Sequence, residues 1–185
     1  GLMQTEVESG FSGLTGTAAV DEKDLGETIF AGFKLNENFD LEFAFNKFGE
    51  TMLLCNNGDT VVTDGRYDRG TNSAGSTLTC SADNVSVNIH TNSVSAAIKP
   101  KFDFVNSNDL DVDLFGAVGI NKWDQSETTL TAGSSTSMVD YSGSNPFYGI
   151  GVTAQTDILN FSIEYENYNM YYDAESITAA IYYKF

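Results

Sequence analysis

The sequence lacks any long hydrophobic run, and this excludes membrane-spanning helices. No stretch of its 185 residues approaches the ~20 consecutive apolar residues that a helix needs to cross a bilayer. Proline is also scarce, because only two prolines stand against seventeen glycines, a ratio that suits strands joined by polar turns. Nine basic residues against 26 acidic ones give a net charge of −17, which disfavours binding to nucleic acid.

Apolar and polar residues alternate through most of the chain, and this two-residue period predicts eight strands. The predicted strands are 2–9, 28–35, 39–46, 92–104, 110–123, 147–155, 159–166 and 177–185. Short turns alternate with longer segments, and we expect long loops at about 10–26, 49–90 and 124–145. An up-and-down barrel places alternate connections at opposite ends, so all the longer loops would lie at one end.

The closing strand and one hairpin resemble those of known membrane barrels. Ile181, Tyr183 and Phe185 share one strand face, and a terminal Phe with Tyr two residues before it resembles the last strand of bacterial outer-membrane β-barrels. The segment GFKLNENFDLEFAF at 32–45 resembles the second hairpin of the small OmpA-like barrels. The chain therefore resembles the OmpA transmembrane domain and the OmpX-like family. We predict one all-β domain over 1–185, an eight-stranded antiparallel up-and-down transmembrane β-barrel.

The resemblance implies a location and partners. It implies the bacterial outer membrane, with both termini in the periplasm and the long loops outside the cell. Outer-membrane lipid and lipopolysaccharide are implied partners, and the insertion machinery would read Ile181, Tyr183 and Phe185. Another envelope protein is a further candidate partner, because Gly116 on the apolar face would allow close approach. The sequence begins with Gly and shows no signal peptide, so we expect a processed or truncated mature chain.

The second face of the strands carries Lys and Glu in nearly equal number, although basic residues are rare in the chain. A narrow barrel has an interior filled by side chains, and buried charges must be paired. We therefore predict an interior ion-pair network. Its predicted members are Glu6, Lys34, Glu42, Lys99, Lys101, Glu164 and Lys184. A soluble lipocalin-like barrel, with its apolar face turned inward around a ligand, is the alternative architecture.

The only two cysteines, Cys55 and Cys80, fall in the same predicted loop. Two cysteines in an exported chain favour a disulfide. Two unpaired thiols remain an alternative.

The sequence contains no recognisable catalytic set, metal site or cofactor motif. His90 is the single histidine, and the segment His90-Thr91-Asn92-Ser93 lacks the serine two positions on that outer-membrane deacylases of this kind carry. The aspartates of the long loop do not have the spacing of an EF-hand. We therefore predict a protein that is not an enzyme and needs no cofactor.

Two functional hypotheses remain. The first is a structural or surface-interaction protein that acts through its long loops, because loops of that length are commonly functional, or by packing beside another envelope protein. The second is a narrow porin-like channel for small solutes or ions, gated by the interior Lys and Glu residues. Sequence alone does not name a ligand.

Overall fold

The computed structural model of the chain describes residues 1–8, 11–12, 14–63, 77–106, 110–131, 134–156 and 159–183. These residues form thirteen β-strands. In chain order the strands are β1 (Leu2–Val7), β2 (Phe11–Ser12), β3 (Ala19–Asp21), β4 (Lys23–Asn36), β5 (Phe39–Lys47), β6 (Thr51–Cys55), β7 (Thr60–Thr63), β8 (Thr77–Thr79), β9 (Val85–Asn106), β10 (Asp111–Thr131), β11 (Ser134–Gln155), β12 (Leu159–Tyr168) and β13 (Ala174–Tyr183). Within the described ranges, no helix is long and apolar enough to cross a membrane.

Eight of the strands close into a barrel. Around the wall the order is β1, β4, β5, β9, β10, β11, β12 and β13, and β13 pairs back with β1. All eight pairings are antiparallel. The predicted eight-stranded antiparallel barrel is confirmed.

The outer surface of the barrel is apolar. Ile29 is 75% exposed, Phe104 70% and Ile150 68%, and each alternates along its strand with residues that point inward. A soluble barrel would bury such a face. The exposed apolar band therefore contradicts the lipocalin-like alternative and matches the lipid-facing band of a transmembrane barrel.

Three strands continue far beyond the apolar band. β9, β10 and β11 contain 22, 21 and 22 residues, whereas about 9–11 residues cross a bilayer. β10 and β11 remain paired from Asp111↔Gln155 to Thr131↔Ser134. The predicted long loop at 124–145 thus contains an extension of the β10–β11 hairpin, because its residues 124–131 and 134–145 are paired strands. These residues are mostly polar on both faces and so show no hydrophobic alternation.

The other two predicted loops also contain strands. In 10–26, β2 and β3 form and β4 begins at Lys23. In 49–90, β6, β7 and β8 form and β9 begins at Val85. β6 pairs with β9, and β3 pairs with β6. We call β3, β6 and residues 85–91, 124–131 and 134–146 the extended sheet. Its Leu53 and Val87 form a buried cluster with Val61 of β7, and Ala18 and Val20 pack against this cluster.

The side chains of β1 point to the opposite sides of the barrel wall from those predicted. Met3, Thr5 and Val7 are buried inside the barrel, while Leu2 is exposed outside. Met3 and Val7 belong to the main buried apolar cluster together with Phe48 and Tyr168. The remaining strands keep the predicted facing, with Phe43, Ile98, Val118, Ile163 and Ile177 among their exposed outward residues.

Candidate functional site: barrel interior and extended sheet

Lys99 lies at the centre of a buried ion-pair cluster. Its Nζ is 2.7 Å from Glu42 Oε1 and 2.8 Å from Glu164 Oε2. These residues come from β9, β5 and β12, and each occupies an inward position. The side chains of Lys99 and Glu164 are both 9% exposed. We call Glu42, Lys99 and Glu164 the interior cluster. It satisfies the requirement that buried charges be paired.

A second ion pair lies beside the interior cluster. Lys101 Nζ is 2.9 Å from Asp40 Oδ2. Asp40 was not among the predicted site residues, although it alternates with the outward Phe39 and Leu41 and so occupies an inward position. Lys99 also lies 4.9 Å from the centroid of the Phe115 ring, a distance within cation–π range.

Besides Lys101, which forms the second pair, three predicted members take no part in these interior ion pairs in the described part of the chain. Glu6 points outward and pairs with Lys23 at 3.2 Å, so its prediction is wrong. The error arose because the inward positions of β1 are mostly occupied by apolar side chains, so Glu6 lies on the outward side. Lys34 lies on β4 but is exposed. Lys184 lies outside the described residues, as does Phe185 of the predicted insertion signal.

Aromatic side chains fill the barrel at the end where the extended sheet begins. The Tyr168 ring lies 5.1 Å from that of Phe48 and stacks on Phe147 at 4.9 Å between centroids. Its hydroxyl donates to Glu166 Oε2 at 2.6 Å. We call Phe48, Phe147, Tyr168, Tyr171 and Tyr172 the aromatic layer. These side chains are all buried and belong to one cluster.

The connection between β12 and β13 supplies the outermost part of the aromatic layer. Tyr171 stacks on Tyr141 with centroids 4.1 Å apart. The hydroxyl of Tyr172 donates to Glu127 Oε2 at 2.9 Å. Burial, and then the Glu127 carboxylate, raises the pKa of Tyr172, so its hydroxyl stays protonated as a donor. Sequence reasoning treated this segment only as a connection, although its run of aromatic residues is a signal of burial.

Cys55 and Cys80 form a disulfide, which confirms that prediction. The bond ties the end of β6 to the residue after β8. Backbone hydrogen bonds continue the connection, since the Gly58 amide donates to the Cys80 carbonyl and the Cys80 amide donates to the Asp59 carbonyl, both at 2.9 Å. The disulfide therefore anchors an ordered turn at the edge of the extended sheet.

The carboxylate of Asp59 organises this turn. It accepts hydrogen bonds from the Asn56 amide at 2.9 Å, the Thr17 hydroxyl at 2.8 Å and the Thr17 amide at 3.1 Å. These donors, the Asn56 amide first, hold the pKa of Asp59 below its ordinary value of 3.8. Asp59 thus joins the segment before β3 to the segment after β6.

We expect the stabilisation from Asp59 to be lost in acid. A carboxyl whose folded-state pKa is lowered stabilises the fold above its ordinary value of 3.8 and ceases to do so as pH falls through the lowered pKa. Following the Thr17 and Asn56 amide resonances by NMR from about pH 7 to about pH 2.5 should give a midpoint below the ordinary aspartate pKa. Asp59→Asn should abolish that titration, and a midpoint at or above 3.8 would contradict the assignment.

His90 lies on the outward face of the extended sheet. Its Nε2 is 3.8 Å from Glu50 Oε1, and Ser126 lies opposite it on β10. Among the described residues no hydrogen bond joins His90 to Ser126, so the arrangement does not show an activated nucleophile. Among these same residues, no group of three or more His, Cys, Asp or Glu side chains is placed to hold a metal ion.

An apolar exterior, an interior of paired charges and aromatic rings, and eight antiparallel strands together define a small transmembrane β-barrel. Solved structures that are similar to the chain agree with this fold. The crystal structure of Ail, the attachment invasion locus protein of Yersinia pestis, matches with a TM-score of 0.53 at 14% identity, covering 100% of this chain and 93% of that one.

A second structure of Ail, in complex with the heparin analogue sucrose octasulfate, matches with a TM-score of 0.52 at 11% identity over 100% of this chain and 98% of that one. No family model matches the sequence, and no curated protein matches it. The predicted resemblance to the small outer-membrane barrels is thus confirmed at the level of the fold.

Proposed function

We propose that the chain is an outer-membrane protein that binds partners at the cell surface through its extended sheet. In this proposal both termini lie in the periplasm and the extended sheet projects outside the cell, among lipopolysaccharide. Ile181 and Tyr183, with Phe185 beyond the described residues, would present the closing strand to the insertion machinery. The proposal assigns the chain no catalytic step and no cofactor.

The observation that carries this proposal is the edge of the extended sheet. β11 pairs with β12 only from Phe147 onward. Within the described residues, no strand pairs with 134–146 on the side away from β10. Apart from Tyr141, which packs against Tyr171, this is the kind of sheet edge to which a partner can add a strand. The side chains of Met138 and Val139, which lie on opposite faces of the strand, are both exposed along this edge.

The charge of the chain indicates what kind of partner fits. Asp124 and Asp140 lie on the outward face of the extended sheet, and the net charge is −17. The Ail complex contains a polyanion, sucrose octasulfate. Like charges repel, so a neutral or basic extended segment fits this surface better than a polyanion does.

Shortening the β10–β11 hairpin should abolish surface binding and leave the barrel folded. Ser126 pairs with Asp140, so replacing 127–139 by an Asn-Gly turn closes the hairpin at that pair. We expect bacteria that produce the shortened chain to adhere to cultured epithelial cells no better than the same host strain without the protein. Glu127 and Tyr172 lose their contact, so folding must be checked by heat-modifiability on a detergent gel. Full adherence by a folded, shortened chain would contradict the proposal.

The channel hypothesis predicts a different result. The interior cluster and the aromatic layer occupy the barrel interior, so we expect no ion conductance across planar bilayers containing the protein. Lys99→Gln and Lys101→Gln would alter conductance in a channel that these residues gate. Conductance that is present in the parent chain and changes in these variants would favour the channel.

A further inference from the structure

Two glutamates and two hydroxyl residues lie side by side on the inner face of the wall, on β12 and β13. Glu164 pairs with Thr178, and Glu166 pairs with Ser176. All four side chains point inward, and none of these residues is more than 7% exposed. Their outward neighbour Ile163 is exposed in the apolar band, so the four residues lie at membrane depth. We call them the oxygen site.

Three oxygen atoms of the oxygen site have no hydrogen-bond partner in the part of the chain that the structure describes. They are Glu164 Oε1, Ser176 Oγ and Thr178 Oγ1, and all three are buried. Two of them are hydroxyls, which usually find a partner when they are buried. The absence of water from a bilayer makes an unmet polar group still more costly. The three atoms therefore indicate a ligand that oxygen atoms can hold.

The charges around the oxygen site favour a cation as this ligand. Lys99 contacts both Glu42 and Glu164, and Glu166 lies within hydrogen-bonding reach of Glu164. Three carboxylates thus share one ammonium group. The Tyr168 hydroxyl donates to Glu166 at 2.6 Å but adds no charge. A cation, unlike a water molecule, offsets the surplus negative charge, and uncompensated charges are expensive at membrane depth.

We propose that the oxygen site binds a monovalent cation of the size of Na⁺. Its ligands are Glu164 Oε1, Ser176 Oγ and Thr178 Oγ1, and carboxylate and hydroxyl oxygens are donors that hard cations prefer. Ca²⁺ takes about six to eight oxygen ligands, and no three acidic side chains of the described chain are placed to hold a metal ion. The bound ion ties the closing strand β13 to the interior cluster.

The test is the stability of the full chain in lipid vesicles, measured by denaturant titration. Sodium chloride replaces choline chloride stepwise at a constant total concentration, so the general screening of charges does not change. We expect the ratio of folded to unfolded protein to rise about tenfold or more and then to saturate, since a ligand at about ten times its dissociation constant has this effect. A ratio that does not depend on sodium would overturn the proposal.

The double variant Ser176→Ala, Thr178→Val removes two of the three ligands, leaves every charge in place and should abolish the sodium-dependent rise. Thr28→Val is the matched control, because Thr28 is also buried but its hydroxyl donates to Asn46 Oδ1 at 2.6 Å. This control should be less stable in both salts and should keep the rise. A full rise in the double variant would refute the oxygen site.

Ser176→Ala alone is a milder variant, for use if the double variant does not fold. Its sodium titration should have a midpoint about tenfold higher than that of the parent chain, because even a group that only orients a ligand changes metal affinity by that much. An unchanged midpoint would contradict the proposal. Saturation by calcium at a lower concentration than by sodium would identify a divalent-ion site and would refute the monovalent assignment.

Discussion

Replacing Lys99 by methionine is expected to destabilise the barrel by about 3–5 kcal/mol, because it leaves the buried carboxylate of Glu164 and the half-buried carboxylate of Glu42 without their cation. Glu42 and Glu164 approach Lys99 to 2.7 and 2.8 Å. Without Lys99 they face each other in the barrel interior, where water cannot screen their repulsion. The free energy of unfolding, measured by denaturant titration in lipid vesicles, gives the effect directly.

Two variants control this prediction. Lys34→Met removes a lysine from an exposed position of β4 and should change the free energy of unfolding by no more than about 0.5 kcal/mol. The triple variant Glu42→Gln, Lys99→Met, Glu164→Gln removes all three charges and should recover most of the loss. Equal effects of Lys99→Met and Lys34→Met would show that the interior cluster contributes little.

Removing the disulfide is expected to loosen the extended sheet and spare the barrel. A cross-link that closes 25 residues contributes roughly 3 kcal/mol in the chain-entropy model. In the double variant Cys55→Ser, Cys80→Ser, we expect the backbone amide hydrogens at positions 58 and 80 to exchange with solvent faster by about two orders of magnitude. The amides of Ile98 and Val118, in the apolar band, should be unchanged.

Reductant provides the matched control for the disulfide. It should reproduce the effect in the parent chain and add nothing in the double variant. Unchanged exchange at Gly58 after reduction would mean that Asp59 and the β6–β9 pairing hold the turn by themselves. Faster amide exchange throughout the barrel would contradict the expectation that the disulfide stabilises the extended sheet but not the strands of the apolar band.

The alternating segments allowed the barrel to be predicted from sequence. In β4 and β5, for example, outward Ile29 and Phe43 alternate with inward Thr28 and Glu42, and one face is uniformly apolar. β1 does not follow this pattern, because its outward face carries Gln4 and Glu6 beside Leu2 while its inward face is mostly apolar. Leu2 lies outside, and Met3 and Val7 lie inside against aromatic rings. Only the tertiary packing distinguishes these two faces.

The sequence pattern did not predict the extended sheet or the aromatic layer, and the reasons differ. Residues 124–131 and 134–145 form strands whose side chains are mostly polar on both faces, so hydrophobic alternation is absent although the backbone remains paired. Tyr168, Tyr171 and Tyr172 are brought to Phe48 and Tyr141 by the closure of the barrel. These contacts link distant parts of the sequence, and no local pattern encodes them.

Fluorescence quenching by lipid tests the transmembrane barrel most directly. Trp123 is the only tryptophan and is buried, so Trp123→Phe gives a background for single reporters. Ile150→Trp and Ser142→Trp place a reporter on the same exposed face of β11, within and beyond the apolar band. In vesicles of lipid brominated along its acyl chains, the tryptophan at position 150 should be strongly quenched and that at position 142 should not. Equal quenching at both positions, or none at position 150, would contradict the membrane-spanning barrel.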